Sequence, residues 1–127
     1  MKFRHLAVLS AVLFWLLAIA WMFMPAQMLA NWGVGFSSET GLVSRRAAAL
    51  YMGFGVMFFL ARHAAPSAVR SALVSGFVTA CLLLAALGVF ELISGRANLG
   101  ILAAVALETL LSLAFLFVQH RDKPRAD

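Results

Sequence analysis

Apolar residues along the chain gather into four runs, 6–24, 47–61, 71–90 and 99–118, divided by short polar breaks. Each run approaches the ~20 residues that a helix rising 1.5 Å per residue needs to cross a hydrocarbon core ~30 Å thick. The pattern predicts an all-α fold: a single domain over 1–127, built as an antiparallel bundle of four transmembrane helices at about 6–24, 44–62, 69–92 and 99–119. Pro25 closes the first helix, Ser44 stands where it can cap the second, and Pro66 with Ser67 marks the start of the third. The second run is the shortest, and Arg45, Arg46 and Arg62 can lengthen it by laying their stems along the helix and their guanidinium groups in the headgroups. Between the first two helices Met28, Leu29, Trp32 and Phe36 alternate with small and polar residues, a stretch expected to lie in the membrane interface. Its functional alternative is a lid over a cavity. The link Ser94-Gly95-Arg96-Ala97-Asn98 is short enough to make the third and fourth helices antiparallel neighbours.

Composition sharpens this picture. A chain of 127 residues that is 64% apolar and 12% charged does not supply a charged soluble surface, so the apolar excess is assigned to lipid. Lys2 and Arg4 before the first run resemble the start of a signal peptide, but the run is longer than such peptides use and no convincing cleavage site follows, so the helix is expected to be retained. With the N-terminus inside, Lys2, Arg4, Arg62, Arg70, Arg121, Lys123 and Arg125 fall on the cytoplasmic side, against Arg45, Arg46 and Arg96 outside. That asymmetry predicts an N-in/C-in protein of the bacterial inner membrane. It also accounts for the net charge of +5 through membrane lipids, with no nucleic-acid partner, and makes the basic tail 120–127 an interfacial anchor.

Helices in lipid associate through close backbone approach and interhelical hydrogen bonds. Three stripes of small or polar residues are candidate seams: Gly100, Ala104, Glu108 and Ser112 on the fourth helix; Ala72, Gly76 and Ala80 beside Ser71, Ser75 and Thr79 on the third; Ala49 and Gly53, with Gly55 nearby, on the second. They are expected to face one another, leaving Leu, Phe and Val to meet lipid. Glu108 sits at the middle of its run, near the bilayer midplane, where an acidic side chain costs ~2.5 kcal/mol or more and is a functional candidate by default. Tyr51, Thr79, Cys81, Thr109 and Ser112 lie at similar depth, and of these Tyr51, Thr79 and Ser112 make up the candidate polar site with Glu108. The carboxyl is expected to be neutral and to donate a hydrogen bond to Tyr51 or to a hydroxyl of the third helix.

The remaining groups point to less. Glu91 can pair with Arg96, Arg45 or Arg46, and Arg45 with Arg46 can alternatively hold a lipid phosphate. His5, His63 and His120 fall at helix ends beside arginines, with no i,i+4 pair, and the single cysteine, Cys81, is mid-helix, so neither a metal site nor an internal disulfide is expected. No phosphate-binding glycine loop, zinc-protease helix or nucleophile elbow is present. Gly53-Phe54-Gly55 is read as a packing feature.

Pro25 after the first helix, the run from Arg45 to Gly55 ending at Ala61-Arg62, and Glu108 in a Leu/Ala-rich last helix together resemble the DoxX-like group of small bacterial four-helix membrane proteins. The resemblance spans most of the chain and implies a fold; members of that group include proteins associated with membrane redox complexes. It carries over no catalytic residue and no cofactor. A more distant likeness to four- and five-helix sterol-binding isomerases implies a lipophilic cavity, although the paired acids and histidines of such an enzyme are missing here. The expected function is an accessory or structural subunit of a membrane complex, or a self-assembling bundle. Binding or transport of a lipophilic ligand, a lipid or quinone, in a cavity around Glu108 is the alternative, and an enzyme is the least favoured reading.

Overall fold

A computed structural model describes residues 1–123, and the last part of the basic tail, with Arg125, lies outside the described residues. The described chain is helical: α1 Phe3–Phe23, α2 Pro25–Asn31, α3 Ser38–Ala61, α4 Ala68–Ile93 and α5 Ile101–Arg121. α1, α3, α4 and α5 are long and apolar enough to cross a membrane, which fits a multi-pass membrane protein.

Local chemistry sets the boundaries. Pro25 is the first residue of α2, where its missing N–H is no loss, so it both ends one helix and starts the next. Ser67 caps α4 by accepting from the Arg70 N–H at 3.2 Å. The cap of α3 lies seven residues before Ser44, at a reciprocal capping box: the Ser37 hydroxyl accepts from the Thr40 N–H at 3.1 Å while Thr40 Oγ1 accepts from the Ser37 N–H at 2.8 Å. Ser44 is therefore not the cap. It lies inside the helix, where its hydroxyl donates to the Thr40 carbonyl at 2.7 Å. Arg45 and Arg46 are exposed two turns into α3.

α1 packs chiefly on α3 and α4 on α5, and the two pairs are joined through an aromatic core. Phe58 and Phe115, both fully buried, lie 5.0 Å apart between ring centroids, with Phe77 4.7 Å from Phe58 and 5.3 Å from Phe115. Phe14 and Phe3 extend the cluster along α1. These five phenylalanines thus fill the interior, while Phe23, Phe59, Phe90 and Phe117 lie on the outer faces of their helices. Lipid offers little drive to bury an apolar side chain, so large flat rings in close dispersion contact are what hold these helices together.

The expected seams form only in part. On α5, Ala104 and Glu108 face inward and Ser112 is fully buried, but on α4 the stripe of Ala72, Ser75, Gly76 and Thr79 is exposed. On α3, Ala49 and Gly53 also point outward, whereas Gly55 is buried against the Trp15 indole of α1. A methyl group on Gly55 meets that ring at a separation no real contact tolerates. Gly55→Ala is expected to push α1 from α3 and to cost about 1–2 kcal/mol, the usual penalty of overpacking, read as a lower midpoint of denaturant unfolding in mixed micelles. Gly53→Ala, facing open space, serves as the control.

At the end carrying both chain termini, Arg70 is 3% exposed and bonded to Asp122 at 2.6 Å, with its guanidinium 3.8 Å from the centre of the Phe3 ring. At the opposite end Glu91 takes Arg96 as its partner, at 2.6 and 3.1 Å, rather than Arg45 or Arg46. Both members of that pair are exposed, so it adds little to stability.

Candidate functional site

Between the two helix pairs lies a cavity of about 520 Å³, within the size range of small-molecule sites. Each long helix gives it one face at helical spacing: Phe14, Leu17 and Trp21 from α1, Phe77, Ala80, Cys81 and Leu84 from α4, and Ala104, Leu107, Glu108 and Leu111 from α5. Tyr51 and Phe54 of α3 complete the wall.

The chain between α1 and α3 closes one end. Met28, Asn31 and Trp32 line the cavity there, and the Trp32 ring stands 5.0 Å from that of Trp21. Two contacts fix this segment to the start of α5: the Asn98 N–H donates to the Trp32 carbonyl at 2.8 Å, and Gly100 lies so close to the Asn31 carbonyl that no Cβ fits between them. Gly33, with φ of 74°, turns the chain away immediately afterwards, a conformation that an L side chain disfavours. The stretch expected to lie flat in the interface is thus a short helix and turn over a cavity, with Leu29 buried, while Phe36 is exposed and outside it. The interfacial and lid readings share this geometry, since the segment has one face inward and one outward.

Glu108 lies eight residues along α5 from Gly100, ~12 Å deeper at 1.5 Å per residue. Its Oε2 is buried and has no hydrogen-bond partner. Of the groups expected around it, the structure brings Tyr51 to the same cavity, where the phenol ring stacks on Phe14 with centroids 5.9 Å apart. Thr79 and Ser112 do not join them. Thr79 is exposed and its hydroxyl donates to the Ser75 carbonyl at 2.8 Å; the Ser112 hydroxyl donates to the backbone carbonyl of Glu108, also at 2.8 Å. Both satisfy themselves within their own helix, as Ser and Thr do where no other acceptor is near.

No family model, curated protein or solved structure compared with this chain matches it. The site is therefore read from its own chemistry. Its wall is aromatic and aliphatic, interrupted by one carboxyl from α5, one phenol from α3, one thiol, Cys81, from α4 and one carboxamide, Asn31, from α2. No lysine, arginine or histidine is among the lining residues. Among the described residues no three of His, Cys, Asp and Glu gather where a metal ion could be held. Cys81, at the depth of Glu108, was legible as a neighbour in level, but its place on the cavity wall follows from packing alone.

A carboxyl set in an apolar wall, with one oxygen buried and unpartnered, is costly, so what the arrangement does well is receive the polar group of a molecule whose remainder is apolar.

Proposed function

We propose that this chain is a multi-pass protein of the bacterial inner membrane, an antiparallel four-helix bundle with both ends in the cytoplasm, that binds a lipophilic ligand in the cavity around Glu108. The observation that carries the reading is the Glu108 carboxyl on the wall of a mostly apolar cavity of about 520 Å³, with its Oε2 buried and unpartnered. A purely structural carboxyl would find a partner, because one left unsatisfied costs ~1–3 kcal/mol or more. The orientation rests on the basic residues at the termini-bearing end, among them the exposed Lys2, Arg4, Arg121 and Lys123, against Arg45, Arg46 and the paired Arg96 at the other.

A second reading, an accessory or self-assembling subunit, is favoured by the exposed Gly76 of α4, which borders a shallow apolar groove of about 240 Å³ between α3 and α4. Small residues left facing lipid suit a helix from another polypeptide.

Native mass spectrometry of the protein taken from its own membrane in mild detergent separates the two. A monomer or homo-oligomer carrying a bound lipid, quinone or other lipophile is expected; fixed-ratio co-purification with other polypeptides, and no such molecule, would instead support the subunit reading. Glu108→Gln is expected to fold, since it keeps the size of a side chain whose Oε2 has no protein partner, and to retain about tenfold less of the bound molecule, the effect of losing ~1.4 kcal/mol of hydrogen bonding. As Cys81 is the only cysteine and lines the cavity, the bound molecule should also slow its alkylation by a membrane-soluble maleimide. Equal alkylation rates in loaded and stripped protein would remove the cavity as the binding place.

A further inference from the structure

Two features of the cavity wall bear on the chemical class of its occupant. The first is electrostatic. Among the described residues Glu108 is the only acid that lines it, and no arginine or lysine does. Arg62, Arg70 and Arg121 belong to the termini-bearing end of the helices and Arg45, Arg46 and Arg96 to the other. The second is compositional. Phe14, Trp21, Trp32, Tyr51, Phe54 and Phe77 line the cavity, six of its eighteen lining residues, in a chain that is 12% aromatic. A cavity serving only to dissolve an alkyl chain has no need of that enrichment, because Leu and Val would do as well.

Both features favour positive charge. An aromatic ring carries a quadrupole with its negative pole on the faces, and Trp, Tyr and Phe walls attract ammonium groups by ~0.5 to 2 kcal/mol per ring, more where water is excluded. A cation taken out of water is tolerated only beside an opposite charge, and Glu108 is the one group here that can provide it.

We infer that the cavity takes a lipophilic organic cation, a hydrophobic amine or quaternary ammonium compound, whose charge is neutralised by the Glu108 carboxylate and whose substituents pack on the aromatic wall. The inference rests on the ligand-binding reading above and goes further by naming the class of head group. A neutral lipophile, such as a quinone or sterol, would use Glu108 as a hydrogen-bond donor, and a quinone would stack on the rings, but neither carries a charge for the carboxylate to neutralise.

The test uses two probes of one shape, phenylbutyl-trimethylammonium and its uncharged isostere in which a tert-butyl group replaces trimethylammonium. Binding to the full chain in nanodiscs is measured by equilibrium dialysis. The cation is expected to bind at least about tenfold more tightly, a difference of ~1.4 kcal/mol. Its affinity should fall as the pH is lowered, because protons compete for the carboxylate that holds it. The other titratable groups facing the cavity are Tyr51 from α3 and Cys81 from α4; α1 and α2 contribute none. Glu108→Gln should abolish both the preference and the pH dependence, and Glu108→Asp should retain both. Tyr51→Leu, which leaves Glu108 intact, should weaken the cation more than the isostere. Equal binding of the two probes to the unaltered protein overturns the cation inference while the ligand-binding reading stands. Binding of neither overturns the cation inference too, and if native mass spectrometry then finds no lipophile, the ligand-binding reading falls with it.

Discussion

Phe115→Ala is expected to destabilise the protein by about 3 kcal/mol, near the lower end of the cost of emptying a large aromatic site. Phe115 is fully buried on α5 and touches three helices at once: Phe3 of α1 at 6.2 Å between ring centroids, Phe58 of α3 at 5.0 Å and Phe77 of α4 at 5.3 Å. In water most of such a loss would come from transfer of apolar surface. In lipid that part is small, and the loss is of dispersion contacts and ring-to-ring geometry, which places the expectation below the full range. The measurement is the unfolding midpoint in mixed micelles with increasing sodium dodecyl sulfate, followed by helical circular dichroism. Phe117→Ala, on the exposed face of the same helix, should change little. If the two variants unfold alike, the aromatic cluster does not hold the helix pairs together.

How much of this was legible beforehand follows from what each residue's signal encodes. The four long helices were readable because a run of apolar residues reports the thickness of a hydrocarbon core, and α4 began where Pro66 and Ser67 indicated. The start of α3 was not readable from hydropathy, because the Ser37 and Thr40 pair that begins it sits in a polar stretch ahead of the apolar run. The inward face of each helix was harder still. In a soluble protein the polar face marks the outside, but here both faces are apolar: Ala48 is buried beside exposed Ala49, and Phe58 beside exposed Phe59. Glu108 could be singled out, since one acid in an apolar run is conspicuous. Its neighbours could be chosen only by depth, and depth says nothing of direction around the helix axis. Thr79 and Cys81 are at nearly one level but ~200° apart, and it is Cys81 that lines the cavity. The residues closing the cavity were the least accessible, because the fit of Gly100 under the Asn31 carbonyl joins segments far apart in the chain.

Asp122→Ala is expected to cost about 2–3 kcal/mol, although it alters a single residue at the edge of the fold. Asp122 caps the C-terminus of α5, where an acid opposes the helix dipole by ~0.3–1 kcal/mol, so its place there needs a compensating partner. Arg70 is that partner. Its Nη2 lies 2.6 Å from the Asp122 carboxylate, its Nη1 donates to the Ala64 carbonyl at 3.4 Å, and its guanidinium rests 3.8 Å from the centre of the Phe3 ring. One buried cation thus joins α1, α4 and α5, and with Asp122 removed it keeps only a weak bond and a ring face. Breaking a buried pair in this way costs ~3–5 kcal/mol, here reduced because Asp122 is 24% exposed. Arg70→Met combined with Asp122→Ala should recover much of the loss, since the stranded charge is gone. The pH dependence has a definite sign. The bond from Arg70, helped by Arg121, holds the Asp122 carboxyl below its ordinary value of 3.8, so the folded state binds fewer protons here than the unfolded chain. The stabilisation is therefore complete above 3.8 and is lost as the pH falls below it through the folded-state value. Unfolding midpoints measured from neutral pH down to about 3 should fall for the unaltered protein only in that last acidic interval, and the contribution should vanish in Asp122→Asn. A double-mutant cycle giving no coupling between Arg70 and Asp122 at neutral pH would mean that the stability of this end rests on the Phe3 contact alone.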